Sequence, residues 1–313
     1  MNLDINPKDQ FDRIYEDYDR YFAVPVALIL LSLLVIGGSF LANGQVFEKG
    51  TDFTGGTEVL FTINDSSTPE QVEQAFVNAE GYDWQPNDVD VRVQSNADNQ
   101  VAITLPPPNL ESETQVKQIL DQAGIQGQVQ ELIALSGLIG AEFLFQAQIA
   151  FVLAFMIMSL VIFTAFRDFI PAAAVVFAAS GDILIAAAGM VAFNIPLTLG
   201  SVAALLMLIG YSVDTDIVMS LRVLKQRRGK VREKLWSATK TGITMSSGGI
   251  AGFTLLYLAS MSIVGPTELS RISSVVVIGL MADIPLTYFG NGVILSKYVN
   301  GDFEDIGGKI PWI

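Results

Sequence analysis

The chain has 313 residues, 51% of them hydrophobic and 16% charged, with a mean hydropathy of +0.46, too apolar for an ordinary water-soluble domain. It contains no cysteine and no histidine, which excludes disulfides, thiolate metal sites, a cysteine nucleophile and the usual proton carrier near neutral pH. The formal net charge is −14, which argues against a nucleic-acid partner, and any proton chemistry must run on Asp, Glu, Lys, Arg, Tyr or water.

The apolar residues gather into six runs close to the roughly 20 residues a helix needs to cross a bilayer. Residues 1–22, "MNLDINPKDQFDRIYEDYDRYF", are polar and mostly acidic. A secretory signal would begin with a positive segment, so a short cytoplasmic lead-in is expected here. The first span is 23–42, "AVPVALILLSLLVIGGSFLA".

Residues 43–141 carry 15 acidic and 3 basic residues, a net of −12, and have the pattern of one small folded unit. "TEVLFTI" alternates as a strand does. "TPEQVEQAFVNA" has a Thr cap, Pro in its first turn and an early Glu, the start signals of a helix. "VDVRVQ" and "QVAITLP" flank "SNADN" as a hairpin would. "SETQVKQILDQAG" is a second helix ending at Gly124, and "GQVQELIAL" a last strand. The order βαββαβ is that of a ferredoxin-like split βαβ unit. Residues 142–298 then hold five more spans, expected at about 144–166, 171–193, 196–221, 237–261 and 268–298, with Pro171 as the first residue of its helix. Residues 299–313 form a short tail. The expected fold is therefore a polytopic α-helical membrane protein of six transmembrane helices, with an α+β ferredoxin-like extracytoplasmic domain between the first and second.

Orientation follows from lysine and arginine, which favour the cytoplasmic side. The segment 222–234, "RVLKQRRGKVREK", holds seven of the 18 basic residues. Placing it in the cytoplasm puts both termini inside and residues 43–141 outside a cell membrane.

Two glycine motifs flank the outer domain. "GTDFTGGT", residues 50–57, contains Asp52, Gly55 and Gly56. A phosphate loop is disfavoured, because no lysine follows and a strand rather than a helix comes next. "SGLIGAEF", residues 136–143, contains Gly137 and Gly140. Each motif is either a plain turn or linker, or a hinge on which the domain swings.

Among the ionisable residues within the spans, five are the candidates for a functional role: Asp182 in the third, Asp214 and Asp216 in the fourth, Arg271 and Asp283 in the sixth. A charge at the bilayer centre costs about 2.5–3.5 kcal/mol on insertion scales, so such residues pair, titrate or line a wet cavity. Two positions apart on a helix is about 200° of rotation, so Asp214 and Asp216 face opposite ways. Asp214 shares a face with Gly210, Tyr211 and Ile217 and is expected to be the deeper acid, with Asp216 nearer water. The fifth span supplies "TGITMSSGGIAG", in which Ser246 and Ser247 offer hydroxyls and the glycines allow close helix contact.

Taken together, "GTDFTGGT" after the first span, an outer domain of roughly 100 residues, "SGLIGAEF", and "GYSVDTDIV" in the fourth of six spans resemble the SecF family of the Sec protein-export machinery, in its archaeal form, over essentially the whole chain. Asp182 matches the family's acid in the third span, and Arg271 lies at or beside its arginine in the sixth. Bacterial members have Asn-Asp-Thr where this chain has Asp214-Thr215-Asp216, which leaves open which acid carries an ion. Asp283 falls where those members have a small residue.

The resemblance implies a non-enzymatic subunit without cofactor or metal. It pairs with SecD and assists the SecY channel; the fourth span, with Tyr211 and Ser212 at helix contacts, is expected to face SecD. Ion flow through the acidic helices would move the outer domain and pull a preprotein outward. On that basis Asp214 is expected to titrate against Arg271. Two alternatives remain open: a passive assembly subunit, and half of a small-molecule or ion transporter of the resistance-nodulation-division kind. An intramembrane aspartyl protease is disfavoured, because the chain has "AASGD" in place of a Gly-x-Gly-Asp signature.

Overall fold

The computed structural model describes residues 7–63, 68–85, 89–94, 100–135, 137–225, 229–263 and 267–302. Among the described residues, six helices are long and apolar enough to cross a membrane. They include α3 (Ala23–Asn43), α7 (Gly137–Phe166), α8 (Phe169–Ala192), α9 (Leu199–Lys225) and α10 (Val231–Ile263). The sixth runs from α11 (Glu268–Pro285) through a π-helical turn (Leu286–Asn291) into α12 (Gly292–Asn300). Two short helices, α1 (Pro7–Glu16) and α2 (Tyr18–Tyr21), precede them.

About half the positions of α8, α9 and the sixth span are buried, against 11% in each of α3, α7 and α10. The first group is therefore the inner layer. The outer helices show rows of exposed leucines, among them Leu34, Leu41, Leu160 and Leu255, the surface a helix presents to lipid or to another membrane protein.

The helix limits differ from the sequence-based ones at several places, the fifth span beginning at Val231 rather than at 237. The second span begins at Gly137, so "GLIGAEF" is its first two turns rather than a linker. The third begins at Phe169, which puts Pro171 third in the helix instead of first; a missing N–H is still harmless there, since the first turn has no carbonyl to bond. The fourth begins at Leu199, after Pro196 and a turn that bonds elsewhere, as described below. Most of the basic segment is helix end, with residues 226–228 outside the described residues. So are residues 303–313 of the expected tail.

Between α3 and α7 lie α4 (Thr51–Thr54), β1 (Gly56–Ile63), α5 (Pro69–Val77), β2 (Asp90–Gln94), β3 (Gln100–Leu105), α6 (Glu113–Gln122) and β4 (Gly127–Leu135). The sheet order is β2-β3-β1-β4, with every neighbour antiparallel. Alternation along β1 and β3 points Val59, Phe61, Ile63, Val101, Ile103 and Leu105 to one face, where Val72 and Phe76 of α5 and Val116 and Leu120 of α6 close the core. Thr68 and Gln71 form a reciprocal capping box at the start of α5, and Gly124 ends α6 at φ 73°, a left-handed conformation that glycine takes without strain. The expected hairpin turn at 95–99 lies outside the described residues.

The base of this domain is bonded to the start of α9. The Gly50 N–H donates to Leu197 O at 2.8 Å, and the Leu197 N–H to Glu48 O at 2.7 Å. Asp52 Oδ2 accepts from the Leu199 N–H at 2.9 Å, satisfying an otherwise unpaired donor of a helix first turn. Gly55 and Gly56 have φ of 75° and 142°. At Gly140 an added Cβ would lie 2.8 Å from the carbonyls of Asp52 and Phe53, so glycine lets α7 touch the motif's backbone.

Candidate functional site

The inner face of α9 is set by a repeat of small and hydroxyl residues. Ser201, Ala204, Leu208, Ser212, Thr215, Asp216, Met219, Ser220 and Val223 are buried, at the three-and-four spacing of one helix face. Asp216 lies on that face and is fully buried. Asp214 does not. It is exposed, beside exposed Gly210 and Tyr211, and Tyr211 packs edge-on against Phe253 of α10. The expectation that Asp214 is the deeper acid is therefore reversed. The 200° separation holds, but the buried stripe runs through Asp216.

Asp216 belongs to a group drawn from four of the six spans. Its Oδ1 accepts from Asn291 Nδ2 at 2.9 Å, and the same amide nitrogen lies 3.4 Å from Ser220 Oγ. Asp182, on α8, accepts a hydrogen bond from Ser212 Oγ of α9. Asp283, on α11, accepts from Ser246 Oγ of α10 at 3.0 Å and from Thr287 Oγ1 at 3.0 Å. All three carboxyls are fully buried and close enough to act on one another electrostatically. Asp182 Oδ1, Asp216 Oδ2 and Asn291 Oδ1 make no hydrogen bond. No lysine or arginine is buried among the described residues.

Close helix approach builds this centre. Side chains at Gly242 would collide with Tyr288 and Thr215, and at Gly249 with Leu280, 2.9 Å from an added Cβ. Ser246 lies between these two glycines on the buried face of α10, whereas Ser247 is exposed. On the domain side the group is closed by an apolar layer that includes Met190, Leu205, Leu208, Val276 and Leu280. On the other side Phe11, Tyr18, Met219, Tyr288 and Val293 close it.

Arg271 takes no part. It pairs with Glu268 one turn back on α11, while Glu268 Oε2 accepts from Thr198 Oγ1 at 2.7 Å just ahead of α9. From that level to Asp214 is 13 residues or more of α9, about 20 Å at 1.5 Å per residue. The expected Asp214–Arg271 pair is thus replaced by two separate features. Asn291 is the polar residue the sequence analysis missed. It sits beyond Pro285 in the π turn, where α-helical periodicity no longer predicts its direction, and Pro285 is the one signal of that break. Among the described residues no group of three acidic side chains has metal-binding geometry.

Six membrane-length helices around a cluster of buried carboxyls, with an α+β domain between the first and second, define a polytopic membrane protein. The family described as "Protein export membrane protein SecD/SecF, C-terminal" matches residues 115–301. The chain is 35% identical over 289 residues to the protein-export membrane protein SecF of Methanothermobacter thermautotrophicus, covering 92% of this chain and 95% of that one. It is 38% identical to the SecF of Haloferax volcanii, covering 90% and 94%. A crystal structure of SecDF, a translocon-associated membrane protein from Thermus thermophilus, superposes with a TM-score of 0.70 at 19% identity, over 91% of this chain. This chain spans 38% of that longer one. The chain belongs to the SecF family of protein-export membrane proteins.

Proposed function

We propose that this SecF works beside a SecD-like subunit, assists preprotein movement through a SecY-type channel, and couples that work to downhill ion flow through Asp182, Asp216 and Asp283. The observation that carries the reading is the group of three fully buried carboxyls with no buried cation beside them among the described residues. Three simultaneous charges there would each cost about 2.5–3.5 kcal/mol, far more than a structural role repays, and loading with protons or cations removes that cost. Each charge crossing 100 mV releases about 2.3 kcal/mol, so several ions per cycle supply domain-scale work.

The basic segment after α9 supports an orientation with both termini cytoplasmic and the α+β domain outside a cell membrane. The strand order supports a ferredoxin-like class for that domain. Exposed Gly210, Tyr211, Asp214, Ser247 and Gly248 form the face offered to SecD, since open glycines allow close helix contact. The SecDF structure, whose single chain is longer than this one, is consistent with such a pairing.

Asp52 ties the domain's base to the outer end of α9, the helix that bears Asp216, and Gly140 lets α7 touch the same motif's backbone; with Gly55, Gly56 and Gly137 they form the joint that carries motion between domain and bundle. Arg271 and Glu268 brace the same end. The test is export of a secreted preprotein from cells or membrane vesicles containing SecD and this chain, with and without an ionophore. Ionophore-sensitive export that Asp216→Asn removes, with insertion and SecD capture intact, is expected. Ionophore-sensitive export that persists in Asp216→Asn contradicts the relay.

A further inference from the structure

The π turn sets the direction of Asn291. In an uninterrupted α-helix, Asn291 would stand eight residues after Asp283, about 80° away from it around the axis at 100° per residue. A π turn absorbs one extra residue, which brings Asn291 back to within about 20° of the Asp283 direction. That is the face on which it meets Asp216. Pro285, which has no N–H to donate, opens the normal ladder just ahead of the turn, and the Gly292 N–H bonds to Thr287 O, the five-residue step of a π turn.

A residue from the far end of the sequence reaches into this turn. Tyr18 is 5% exposed, and its hydroxyl donates to the carbonyl oxygen of Tyr288 at 2.5 Å. The hydroxyl rests where a side chain on residue 292 would be, so only glycine admits it. Tyr288 in turn donates to Thr239 O at 3.3 Å, which ties the turn to α10. The segment around Tyr18 is held against the sixth span by Lys297 to Asp19 at 3.3 Å and by Tyr15 Oη at 3.4 Å from Ser296 Oγ. Phe11 packs on Trp236 at 5.0 Å between ring centres.

We propose that Tyr18 is a positioning residue for the carboxyl group: its bond to the Tyr288 carbonyl, in the space left by Gly292, holds the π turn in the register that presents Asn291 to Asp216. The N-terminal segment thereby becomes a control point. Release of Tyr18 lets the turn relax toward α-helix, and Asn291 rotates off Asp216. The idea rests on the relay reading for its purpose, but the register can be measured without it.

The chain has no native cysteine, so a Ser220→Cys, Asn291→Cys pair reports the register directly. In membranes containing the full chain with SecD, a membrane-permeant oxidant should join the pair readily. Adding Tyr18→Phe, which keeps the ring and removes the donor, should slow the joining about tenfold. Gly292→Ala should do the same by expelling the hydroxyl. In the cysteine-free chain, Tyr18→Phe should also move the infrared carboxyl band that Asp216→Asn deletes. Unchanged cross-linking and an unmoved band in Tyr18→Phe overturn the proposal. Slowing by Tyr18→Leu but not by Tyr18→Phe also overturns it, since apolar packing alone then holds the turn. Export on the same membranes reads the relay separately: slowed cross-linking with undiminished ionophore-sensitive export contradicts the relay and leaves the positioning role standing.

Discussion

The α+β domain and the membrane bundle bury very different things. Among the described residues the domain buries one polar side chain completely, Thr57, and its hydroxyl accepts from the Leu110 N–H at 2.8 Å. Everything else at its centre is apolar, from Phe61 and Phe76 to Trp84, whose indole N–H reaches Pro106 O at 2.9 Å. Among the described residues the bundle buries three aspartates, an asparagine and many hydroxyls. Both regions fold, so polar burial on the bundle's scale is not what folding requires. In the domain the buried polar group completes the fold; in the bundle the proposed ion relay gives the buried carboxyls a reason to be kept against their folding cost.

If that division is right, stability and export should respond separately in the two regions. The largest stability effect should come from Phe61→Ala, with about 3–5 kcal/mol lost to a cavity, read as protease cleavage within the domain of the membrane-inserted full chain. Thr57→Val should cost about 1–3 kcal/mol by leaving the buried Leu110 N–H unpaired, and the same protease assay ranks it second. Asp52→Ala should cost about 1 kcal/mol as a lost helix cap. Its export defect should exceed that of Thr68→Ala, which removes a comparable cap remote from α9. Equal defects would reduce the "GTDFTGGT" joint to an ordinary turn. The smallest effect belongs to Glu268→Gln, because partly exposed pairs contribute about 0–1 kcal/mol. Thermal unfolding of the purified chain should barely change, and a large loss would make Arg271 part of the core machinery after all.

Much of this architecture is legible in the residues. Six apolar runs and a block of alternating and capped segments yield the helices and the βαββαβ order, because burial and periodicity are local properties. The buried face of α9 is harder to see. Apolar neighbours flank both Asp214 and Asp216, and depth along the span favours the wrong one. The deciding signal is the spacing of Ser201, Ala204, Leu208, Ser212 and Ser220, which continues through Asp216. The Arg271 pairing was readable too: Glu268 stands three residues ahead, within ordinary reach on one helix. Asn291 had no such local mark. Its direction depends on a π turn stabilised by Tyr18, a contact 270 residues away in sequence, and no periodicity within the sixth span reports it.

Asp216 rather than Asp214 is the proposed ion-carrying acid of α9. The most direct measurement compares Asp216→Asn and Asp214→Asn in one export assay, with a preprotein, SecD, and an ionophore-sensitive component determined for each. Amide replacement keeps the shape of both side chains, and insertion is checked by SecD capture. Loss of at least tenfold in the ionophore-sensitive rate for Asp216→Asn, with Asp214→Asn within about twofold of the unaltered chain, is the predicted result. The reverse order, with Asp214→Asn inactive and Asp216→Asn working, would contradict the account.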